Sequence, residues 1–410
     1  MSLVKKQLHV LFISTDREIF REGSEAHLRM LDYASIMDEL RIIVYTKKSS
    51  GFVATQIGKN AWAYPTNSIS RWFYVFDAIR LAENLFTPQF GIRSDFIEED
   101  GKDVVNLVSA QDPFECGLAG YRISKKLHIP LQLQIHTDFL NKNFTVGSKL
   151  NFLRVKIAKF LLVRHAKIRV VSERIKSSIF KNIWFPKSDI ADISVLPVFV
   201  DRERFRNSME TNFLSEKYPN HTLLVLVVSR LEKEKNVELA LKILSETTRR
   251  SQESFIGLVI VGDGSEKKAL KKMAEKLHIA DRVFFEGAVA DVGPYYKAAD
   301  VLLVTSKYEG YGRMIAEATA AGCFVITPDV GAARELVTQS SGVVCNDDDE
   351  ECLLRNILFL CSTSYTRDQF KSVARISSSR AVFESKSEYL EKYRELLLSA
   401  ANNEDYFLDK

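Results

Sequence analysis

The chain has 410 residues, of which 46% are hydrophobic and 27% are charged, and its formal net charge is +4. This length predicts two or three domains that each bury a core, and we expect two. The ordinary aromatic content and the spread of charged residues along the chain exclude a disordered or low-complexity class.

The five cysteines predict a reducing, cytoplasmic environment. Their number is odd and no CxxC spacing occurs, which argues against both a disulfide framework and a zinc site. The first apolar run, Leu8 to Ser14, is too short to span a membrane and has no small-residue cleavage site, so we interpret it as a buried strand.

Short apolar strands alternate with amphipathic stretches along both halves of the chain. In the first half LHVLFIS, RIIVYT, VVNLVSA, LQLQIHT and KIRVVSE predict strands, and in the second half LLVLVVSR, GLVIVGDG, RVFFEG, VLLVTS and FVITPD do so. This rhythm predicts an α/β protein of two doubly wound, Rossmann-like domains facing each other across a cleft, with ligands at the carboxyl ends of the strands.

The segment ISVLPVFVD places a crossover between the two domains near Val198. We therefore predict an N-terminal domain over residues 1–197 and a C-terminal domain over residues 198–382. Residues 383–410 are expected to form a helix that packs back toward the N-terminal domain, followed by a polar tail.

Positive charge is concentrated in residues 149–187, where eleven Lys and Arg side chains accompany the single acid Glu173. Basic and apolar residues alternate there at helical spacing. This pattern is typical of a helix that rests on an anionic membrane, and equally of a packed helix with a basic solvent face. The basic excess is local and is not interleaved with stacking aromatics, which argues against nucleic-acid binding.

Three segments at strand ends carry residues suited to bind anions or sugars. Gly23 and Ser24 follow the first strand, and they form either an anion-binding turn or a plain helix N-cap. His136, in IHTDF, is placed to donate a hydrogen bond to a sugar hydroxyl or phosphate, although a lone histidine there is often structural. Arg230 and Lys235, in SRLEKEKN, supply the two cations that a diphosphate needs.

The most informative segment is YEGYGRMIAEATAA, Tyr308 to Ala321, which leads from a strand into a helix. Gly310 and Gly312 permit a tight turn around Tyr311, and the amides of Arg313, Met314 and Ile315 are expected to form a free helix N-terminus. Glu309 and Glu317 lie about two helical turns apart, so they can serve two parts of one extended ligand.

Two weaker features complete the set. Gly262 and Gly264 flank Asp263 after a strand, and VGDG is as consistent with a tight turn as with a ligand contact. The acids Asp347 to Glu350 precede a predicted helix, so we interpret them as helix-start residues and assign no metal.

These motifs together resemble the group 1 family of glycosyltransferases, which are retaining enzymes with the two-domain GT-B architecture. The strongest likeness runs from Arg282 to Val337 and includes the glutamate, seven residues, glutamate motif as Glu309 to Glu317. The resemblance implies that Arg230 and Lys235 hold the donor diphosphate, that Glu317 holds the ribose, and that Glu309 meets the sugar. It also matches Gly23, His136 and Gly262 to Gly264 with family positions.

The resemblance implies transfer of a hexosyl-type sugar from a nucleotide diphosphate sugar to a glycan or lipid-linked acceptor, with no metal or other cofactor. It also implies that the N-terminal domain binds the acceptor and that the C-terminal domain binds the nucleotide sugar. Arg230, Lys235, Glu309 and His136 are the candidate catalytic residues. Alternatives on the same fold are a nucleotide-sugar epimerase, a phosphorylase or a catalytically inactive scaffold. We expect a cytoplasmic protein, with residues 149–187 in peripheral contact with the inner face of the membrane.

Overall fold

The structure is a computed structural model that describes residues 7–86, 105–146, 148–164, 167–184, 193–208, 213–221, 223–251, 255–362 and 385–403. Contacts divide them into two compact units. Unit 1 holds the described residues within 1–140, 145–196 and 385–410, and unit 2 those within 141–144 and 197–384. No helix in the described part of the chain combines the length and the apolar character needed to cross a bilayer.

The described part of unit 1 is built on an eight-stranded sheet in the order β3-β4-β2-β1-β5-β6-β7-β8. Only the pairing of β3 with β4 is antiparallel in this sheet. The strands are β1 (His9–Ser14), β2 (Glu39–Val44), β3 (Thr55–Gly58), β4 (Ala61–Pro65), β5 (Leu107–Ala110), β6 (Leu131–Ile135), β7 (Lys167–Val170) and β8 (Ile193–Val195). Most residues of the central strands are buried, as expected of a parallel sheet covered by helices.

The described part of unit 1 contains six longer helices. They are α1 (Glu25–Ala34), α2 (Tyr74–Phe86), α3 (Glu115–Leu127), α4 (Lys149–Leu162), α5 (Glu173–Asn182) and α14 (Lys386–Ala401). A short 3₁₀ turn, Arg71–Phe73, precedes α2 directly. Ser24, Ser148, Ser172 and Ser385 each cap the helix that follows, because their hydroxyls accept an amide hydrogen bond from its first turn.

The C-terminal helix α14 is held in unit 1 by a buried polar cluster around Arg169. This guanidinium donates to Gln134 Oε1 at 2.8 Å and to the Tyr389 hydroxyl at 3.0 Å. Gln134 Nε2 donates in turn to the Tyr393 hydroxyl at 2.7 Å. Since a buried charge is tolerated only when its donors are satisfied, α14 is required to complete the surroundings of Arg169.

The described part of unit 2 contains a six-stranded parallel sheet in the order β11-β10-β9-β12-β13-β14. Its strands are β9 (Leu223–Val228), β10 (Ile256–Val261), β11 (Val283–Gly287), β12 (Val301–Leu303), β13 (Phe324–Pro328) and β14 (Gly342–Cys345). Its helices are α6 (Arg202–Arg206), α7 (Phe213–Lys217), α8 (Val237–Arg250), α9 (Lys267–Lys276), α10 (Gly293–Ala298), α11 (Arg313–Ala321), α12 (Ala333–Leu336) and α13 (Glu350–Ser362).

Two parallel-sheet α/β units confirm the predicted fold class. The sequence patterns did not predict β3, β4 or β14, which are short strands of four or five residues at or next to sheet edges. Residues 383 and 384, where the last helix was expected to begin, lie outside the described residues, and α14 begins at Lys386.

The expectation of unpaired cysteines is wrong at one place. Cys345, the last residue of β14, forms a disulfide with Cys352 in the first turns of α13, seven residues further along the chain. The bond fixes one local turn and does not form a framework, whereas Cys116, Cys323 and Cys361 are buried free thiols. Two cysteines at this spacing match no common disulfide or metal pattern, so this disulfide could not be predicted from the cysteine spacing.

Neighbouring strand-end loops in unit 2 touch through their backbones, and glycine makes this approach possible. Gly262 has φ of 135°, and a Cβ added to it would lie 1.8 Å from the Ser229 carbonyl oxygen. Gly331 has φ of 55°, and its Cβ would lie 2.5 Å from the Tyr311 carbonyl oxygen. The loops after β9 and β10, and those after β12 and β13, are therefore held in direct contact.

We expect Gly262→Ala to lower the free energy of unfolding by about 3 kcal/mol or more, because the backbone of Ser229 must move to admit the methyl group. The matched control is Gly23→Ala, which also has positive φ but has no atom within 4 Å of the added Cβ. Strain alone should cost that variant about 1–2 kcal/mol. Equal losses in urea unfolding of the two variants would contradict the close-contact explanation.

Candidate functional site

The candidate donor-binding residues of unit 2 gather at the carboxyl edge of its sheet. Strand β9 lies between β10 and β12, so the loops that follow these three strands are neighbours. Arg230 and Lys235 follow β9, Gly262 and Gly264 follow β10, and residues 305–312 follow β12. The edge at which parallel strands end is where open α/β sheets bind ligands.

Lys235 and Glu309 form an ion pair across two of these loops. Lys235 Nζ lies 2.6 Å from Glu309 Oε1, and their side chains are only 11% and 10% exposed. The Ser306 hydroxyl donates to the same carboxylate oxygen at 2.7 Å, and the Thr305 hydroxyl donates to the Lys235 carbonyl at 3.0 Å. The ammonium group is therefore fixed in position, and two of its three N–H donors are not needed for this pair.

Arg230 is held much more loosely. Its guanidinium lies 3.1 Å from Glu234 Oε1, and the side chain is 72% exposed. An exposed pair of this kind contributes roughly 0–1 kcal/mol, so an anionic ligand can redirect the guanidinium at little cost. Arg230 and Lys235 therefore present one mobile cation and one fixed cation on the same loop.

The helix α11 begins where the sequence predicts, at a glycine in the left-handed region. Gly312 has φ of 84° and is the N-cap residue. One part of the prediction is wrong: the amide of Ile315 is not free, because it donates to the Gly312 carbonyl at 2.9 Å. This hydrogen bond to the Gly312 carbonyl closes a tight first turn of α11. Arg313 and Met314 therefore provide the amides nearest the helix start.

Glu317 lies on α11, is only 7% exposed, and has a buried partner that the sequence analysis missed. The Tyr296 hydroxyl donates to Glu317 Oε2 at 3.0 Å, and Arg313 Nη2 lies 3.4 Å from Oε1. Burial and the adjacent Glu317 carboxylate raise the pKa of Tyr296 well above its ordinary value, so the hydroxyl remains a donor. The sequence patterns around Tyr296 gave no indication of this pairing.

The predicted turn residues around these side chains have clear packing roles. A Cβ added to Gly264 would lie 2.4 Å from the Leu231 carbonyl oxygen, so this glycine, like Gly262, brings two loops together. Tyr311 is buried, and its carbonyl accepts the Ala332 amide at 2.9 Å. Burial, followed by the charge of Glu335, raises the pKa of Tyr311 to about 12. Gly310 is buried between Glu309 and this tyrosine.

Gly23 and Ser24 lie in unit 1, at the start of α1. Ser24 is the N-cap of this helix, since its hydroxyl accepts the His27 amide at 3.0 Å. Gly23 has φ of 76° and faces a depression of about 540 Å³ whose rim carries both acids and arginines, including Asp16, Glu22 and Arg29. The depression is open and polar, which suits a hydroxyl-rich ligand better than an apolar one.

His136 follows β6 directly in unit 1. Burial, followed by the positive charges of Arg169 and Arg29, lowers its pKa to about 3. The imidazole is therefore neutral at pH 7 and can donate one hydrogen bond through one ring nitrogen and accept one through the other. A role as a charged acid at neutral pH does not fit this environment.

Two further features of the sequence receive an explanation in unit 2. The sequence patterns assign no role to Arg334. Its guanidinium donates to Asp329 Oδ2 at 2.6 Å and to Asn346 Oδ1 at 3.3 Å, so it connects the loops after β13 and β14. Asp349 accepts the Cys352 amide at 2.9 Å, as expected of an acid at a helix start. Among the described residues, no group of three or more His, Cys, Asp or Glu side chains could hold a metal ion.

We expect the pH dependence of stability to report the half-buried, neutral His136. Because its folded pKa of about 3 lies below the unfolded value, its contribution is present above about pH 6.5 and is lost as the pH falls toward 3. Urea unfolding at pH 7 and pH 5 should show a loss of about 1–2 kcal/mol that His136→Gln removes. The control His128→Asn, at an exposed left-handed position where asparagine is tolerated, should leave the loss unchanged. An identical loss in His136→Gln would show that another group is responsible.

The second half of the chain matches a known protein family. The model of "Glycosyl transferases group 1" matches residues 208–376. The chain is 27% identical over 264 residues to the alpha-monoglucosyldiacylglycerol synthase of Streptococcus pneumoniae, covering 62% of this chain and 57% of that protein. It is 24% identical over 262 residues to the mannosylfructose-phosphate synthase of Agrobacterium fabrum, covering 58% and 57%. The chain thus spans just over half the length of the curated relatives it matches.

Solved structures resemble nearly the whole chain. The crystal structure of Anabaena Alr3699/HepE in complex with UDP and glucose superposes with a TM-score of 0.71 at 19% identity, covering 96% of this chain and all of that one. The sucrose-phosphate synthase of Thermosynechococcus elongatus gives 0.68 at 16% identity, covering 98% and 96%. Identities this low show the fold alone, which is the GT-B fold. Residues 208–376 thus match the group 1 glycosyltransferases, and the chain as a whole has the GT-B fold.

Proposed function

We propose that the chain is a retaining, metal-independent glycosyltransferase that moves a hexosyl-type sugar from a nucleotide diphosphate sugar to a glycan or lipid-linked acceptor. The observation that carries the proposal is the set of polar groups at the carboxyl edge of unit 2. A fixed ammonium, a mobile guanidinium, a helix N-terminus and a buried carboxylate with one oriented oxygen lie on adjacent elements there.

Each of these groups suits one part of a nucleotide diphosphate sugar. Lys235, Arg230 and the amides of Arg313 and Met314 suit the diphosphate, because cations and helix N-termini bind oxyanions. Glu317 suits the ribose hydroxyls, since carboxylate oxygens accept hydrogen bonds from them. Glu309 is held by Lys235 and Ser306 beside the glycine turn and suits the hydroxyls of the transferred sugar.

In the proposed reaction the acceptor hydroxyl attacks the anomeric carbon from the face that the diphosphate leaves. The new bond joins the acceptor oxygen to the anomeric carbon, the bond to the diphosphate oxygen breaks, and the acceptor proton passes to the departing diphosphate. Lys235 and Arg230 stabilise the negative charge that develops on this leaving group. His136, neutral at pH 7, contributes a hydrogen bond and no charge.

The relatives support a donor with a uracil base and an acceptor linked to a lipid. One relative is named for a monoglucosyldiacylglycerol, and solved structures of Anabaena Alr3699/HepE contain UDP and UDP-glucose. UDP is therefore the first nucleotide to test.

We further propose a cytoplasmic location, with peripheral contact between the basic segment 149–187 and the anionic inner face of the membrane. The helix α4 within this segment carries no acidic residue, while Lys149, Lys156 and Lys159 are exposed. Each basic side chain near an anionic bilayer contributes about 1 kcal/mol.

We expect UDP, at about a hundred times its dissociation constant, to stabilise the protein by about 2.7 kcal/mol and to raise its melting temperature by several degrees. Glu317→Gln and Tyr296→Phe should each weaken this stabilisation, because they change the carboxylate or the hydroxyl that orients it. Glu275→Ala, which removes an exposed acid from α9 of the same unit, should retain it. GDP and ADP measured in parallel identify the base, and no response to any of the three would contradict the donor site.

We expect Lys235→Ala and Arg230→Ala to reduce sugar transfer by roughly a hundredfold or more each, the size reported when a group that stabilises developing negative charge is removed. The control is Lys233→Ala, which removes an exposed ammonium from the same 3₁₀ turn as Lys235 and should keep nearly full turnover. The measurement is release of UDP from UDP-hexose with an added lipid or glycan acceptor.

The reaction products separate this proposal from the alternatives on the same fold. Transfer with retention gives a product with the anomeric configuration of the donor, which proton NMR coupling constants identify. An epimerised donor or a sugar phosphate would indicate an epimerase or a phosphorylase instead. Turnover that is equal in the Lys233, Arg230 and Lys235 variants would remove the catalytic assignment.

A further inference from the structure

Three helices of unit 1 form a continuous layer beside its sheet. Helix α2 contacts α3, and Lys126 Nζ on α3 lies 2.6 Å from Glu83 on α2. Helix α3 contacts α4 through Arg154 Nη2, which lies 3.0 Å from Glu115, and through the rings of Tyr121 and Phe160. The outward faces of α2 and α4 therefore belong to one surface, with α3 between them.

The outward face of α4 is both apolar and basic. Phe152, Leu153 and Phe160 are 57%, 49% and 42% exposed although they lie on a well-formed helix. Lys156 and Lys159 share this face. Residues 152, 156 and 160 lie one helical turn apart, and residue 159 follows residue 156 at the i, i+3 spacing that also places side chains together. A helix packed only against its own domain would direct large apolar side chains inward. This face is only partly covered within the described residues, because Phe160 packs edge-on against Tyr121 whereas Phe152 and Leu153 remain about half exposed.

The start of α2 presents a second set of apolar side chains. Trp72, Phe73 and Phe76 are 73%, 51% and 62% exposed, and Arg71 and Arg80 flank them. The Arg71 guanidinium lies 5.5 Å from the centre of the Trp72 ring. On α4, Lys156 Nζ lies 4.7 Å from the centre of the Phe152 ring, so both sets combine an exposed ring with a cation.

The two sets lie at the same edge of unit 1. Both α2 and α4 follow strands that run parallel within the sheet, so both helices begin at its carboxyl edge. The residues named on α2 and two of those on α4 come from the first turns of their helices. We define the docking face as Trp72, Phe73, Phe76, Phe152, Leu153 and Phe160 with the basic side chains beside them.

We propose that the docking face inserts its aromatic and leucine side chains into the headgroup and upper acyl region of an anionic lipid bilayer. This extends the proposed membrane contact of α4 from charge attraction to insertion, and it adds α2 to the contact. Aromatic rings with flanking cations are favoured at the membrane interface, where the ring is buried and the cation meets lipid phosphates. A second copy of the chain is a poorer occupant, because α4 carries only positive charge and would repel itself.

Tryptophan fluorescence tests insertion, because the chain has three tryptophans, of which Trp72 lies in the docking face whereas Trp62, on β4, and Trp184 lie outside it. Trp184 is 81% exposed and follows the C-terminal end of α5, so it lies at the opposite, amino edge of the sheet. The probe is vesicles of phosphatidylglycerol and phosphatidylcholine with brominated acyl chains, which quench only inserted rings. We expect quenching in the full chain and in Trp184→Phe, and its loss in Trp72→Phe.

Flotation with the same vesicles measures binding directly. Phe152→Ser with Leu153→Ser should reduce the bound fraction by about tenfold, and part of the binding of the unchanged protein should persist in 0.5 M salt. The matched control is Phe255→Ser with Phe359→Ser, which removes two apolar side chains of similar exposure from unit 2 and should bind normally. A circular-dichroism spectrum and a melting curve like those of the unchanged protein show that each variant is folded.

Three results would overturn the proposal. Unchanged quenching in Trp72→Phe would place the contact elsewhere, and complete loss of binding in salt without any quenching would leave charge attraction only. Dimers in sedimentation that Phe152→Ser dissolves, without vesicle binding, would make a second copy the occupant. None of these results depends on sugar transfer, so failure of the donor-site experiments and failure of this proposal are distinguishable.

Discussion

The candidate donor site depends on direct backbone contact between the strand-end loops of unit 2. At Gly262 the gap to the Ser229 carbonyl leaves no room for a β-carbon, and Gly331 meets the loop of Tyr311 in the same way. These contacts fix the backbone around Arg230 and around the turn before α11. Since hydrogen bonds and ion pairs weaken steeply when their groups shift by an ångström, the cations and carboxylates are useful only because the loops that carry them cannot separate.

The buried pair of Lys235 and Glu309 has a cost that explains its surroundings. Two charges removed from water lose several kcal/mol of hydration each, and their attraction compensates only when other hydrogen bonds complete the site. Ser306 supplies one such bond to the carboxylate. The remaining ammonium hydrogens still lack strong acceptors in the pair itself, so the proposed diphosphate would complete a site that is partly satisfied. The Arg230 guanidinium loses little hydration, because its side chain remains exposed to water.

The sequence was sufficient for the fold because buried parallel strands appear as apolar runs and their helices as amphipathic stretches. Short edge strands such as β3 and β14 were not predicted, because so few residues at a sheet edge show no clear hydrophobic pattern. For the site, residue spacing in the sequence located the loops but not the contacts of their side chains. The hydrogen bond of the Ile315 amide depends on the conformation of Gly312. The hydrogen bond of Tyr296 to Glu317 and the ion pair of Lys235 with Glu309 depend on distances between separate elements. The disulfide of Cys345 and Cys352 escaped for the same reason.

The position of α14 shows how far such a long-range dependence extends. Arg169 lies on β7, yet Tyr389 and Tyr393, which surround its guanidinium, are more than two hundred residues further along the chain. Without α14, the cation and Gln134 would be exposed at the surface of the sheet, and Tyr33 would lose the ring of Tyr393 at 4.6 Å. Loop closure over such a distance is slow compared with local helix formation. Unit 1 therefore cannot complete its core until α14 has been synthesised. Unit 2 precedes α14 in the chain and can fold before this step.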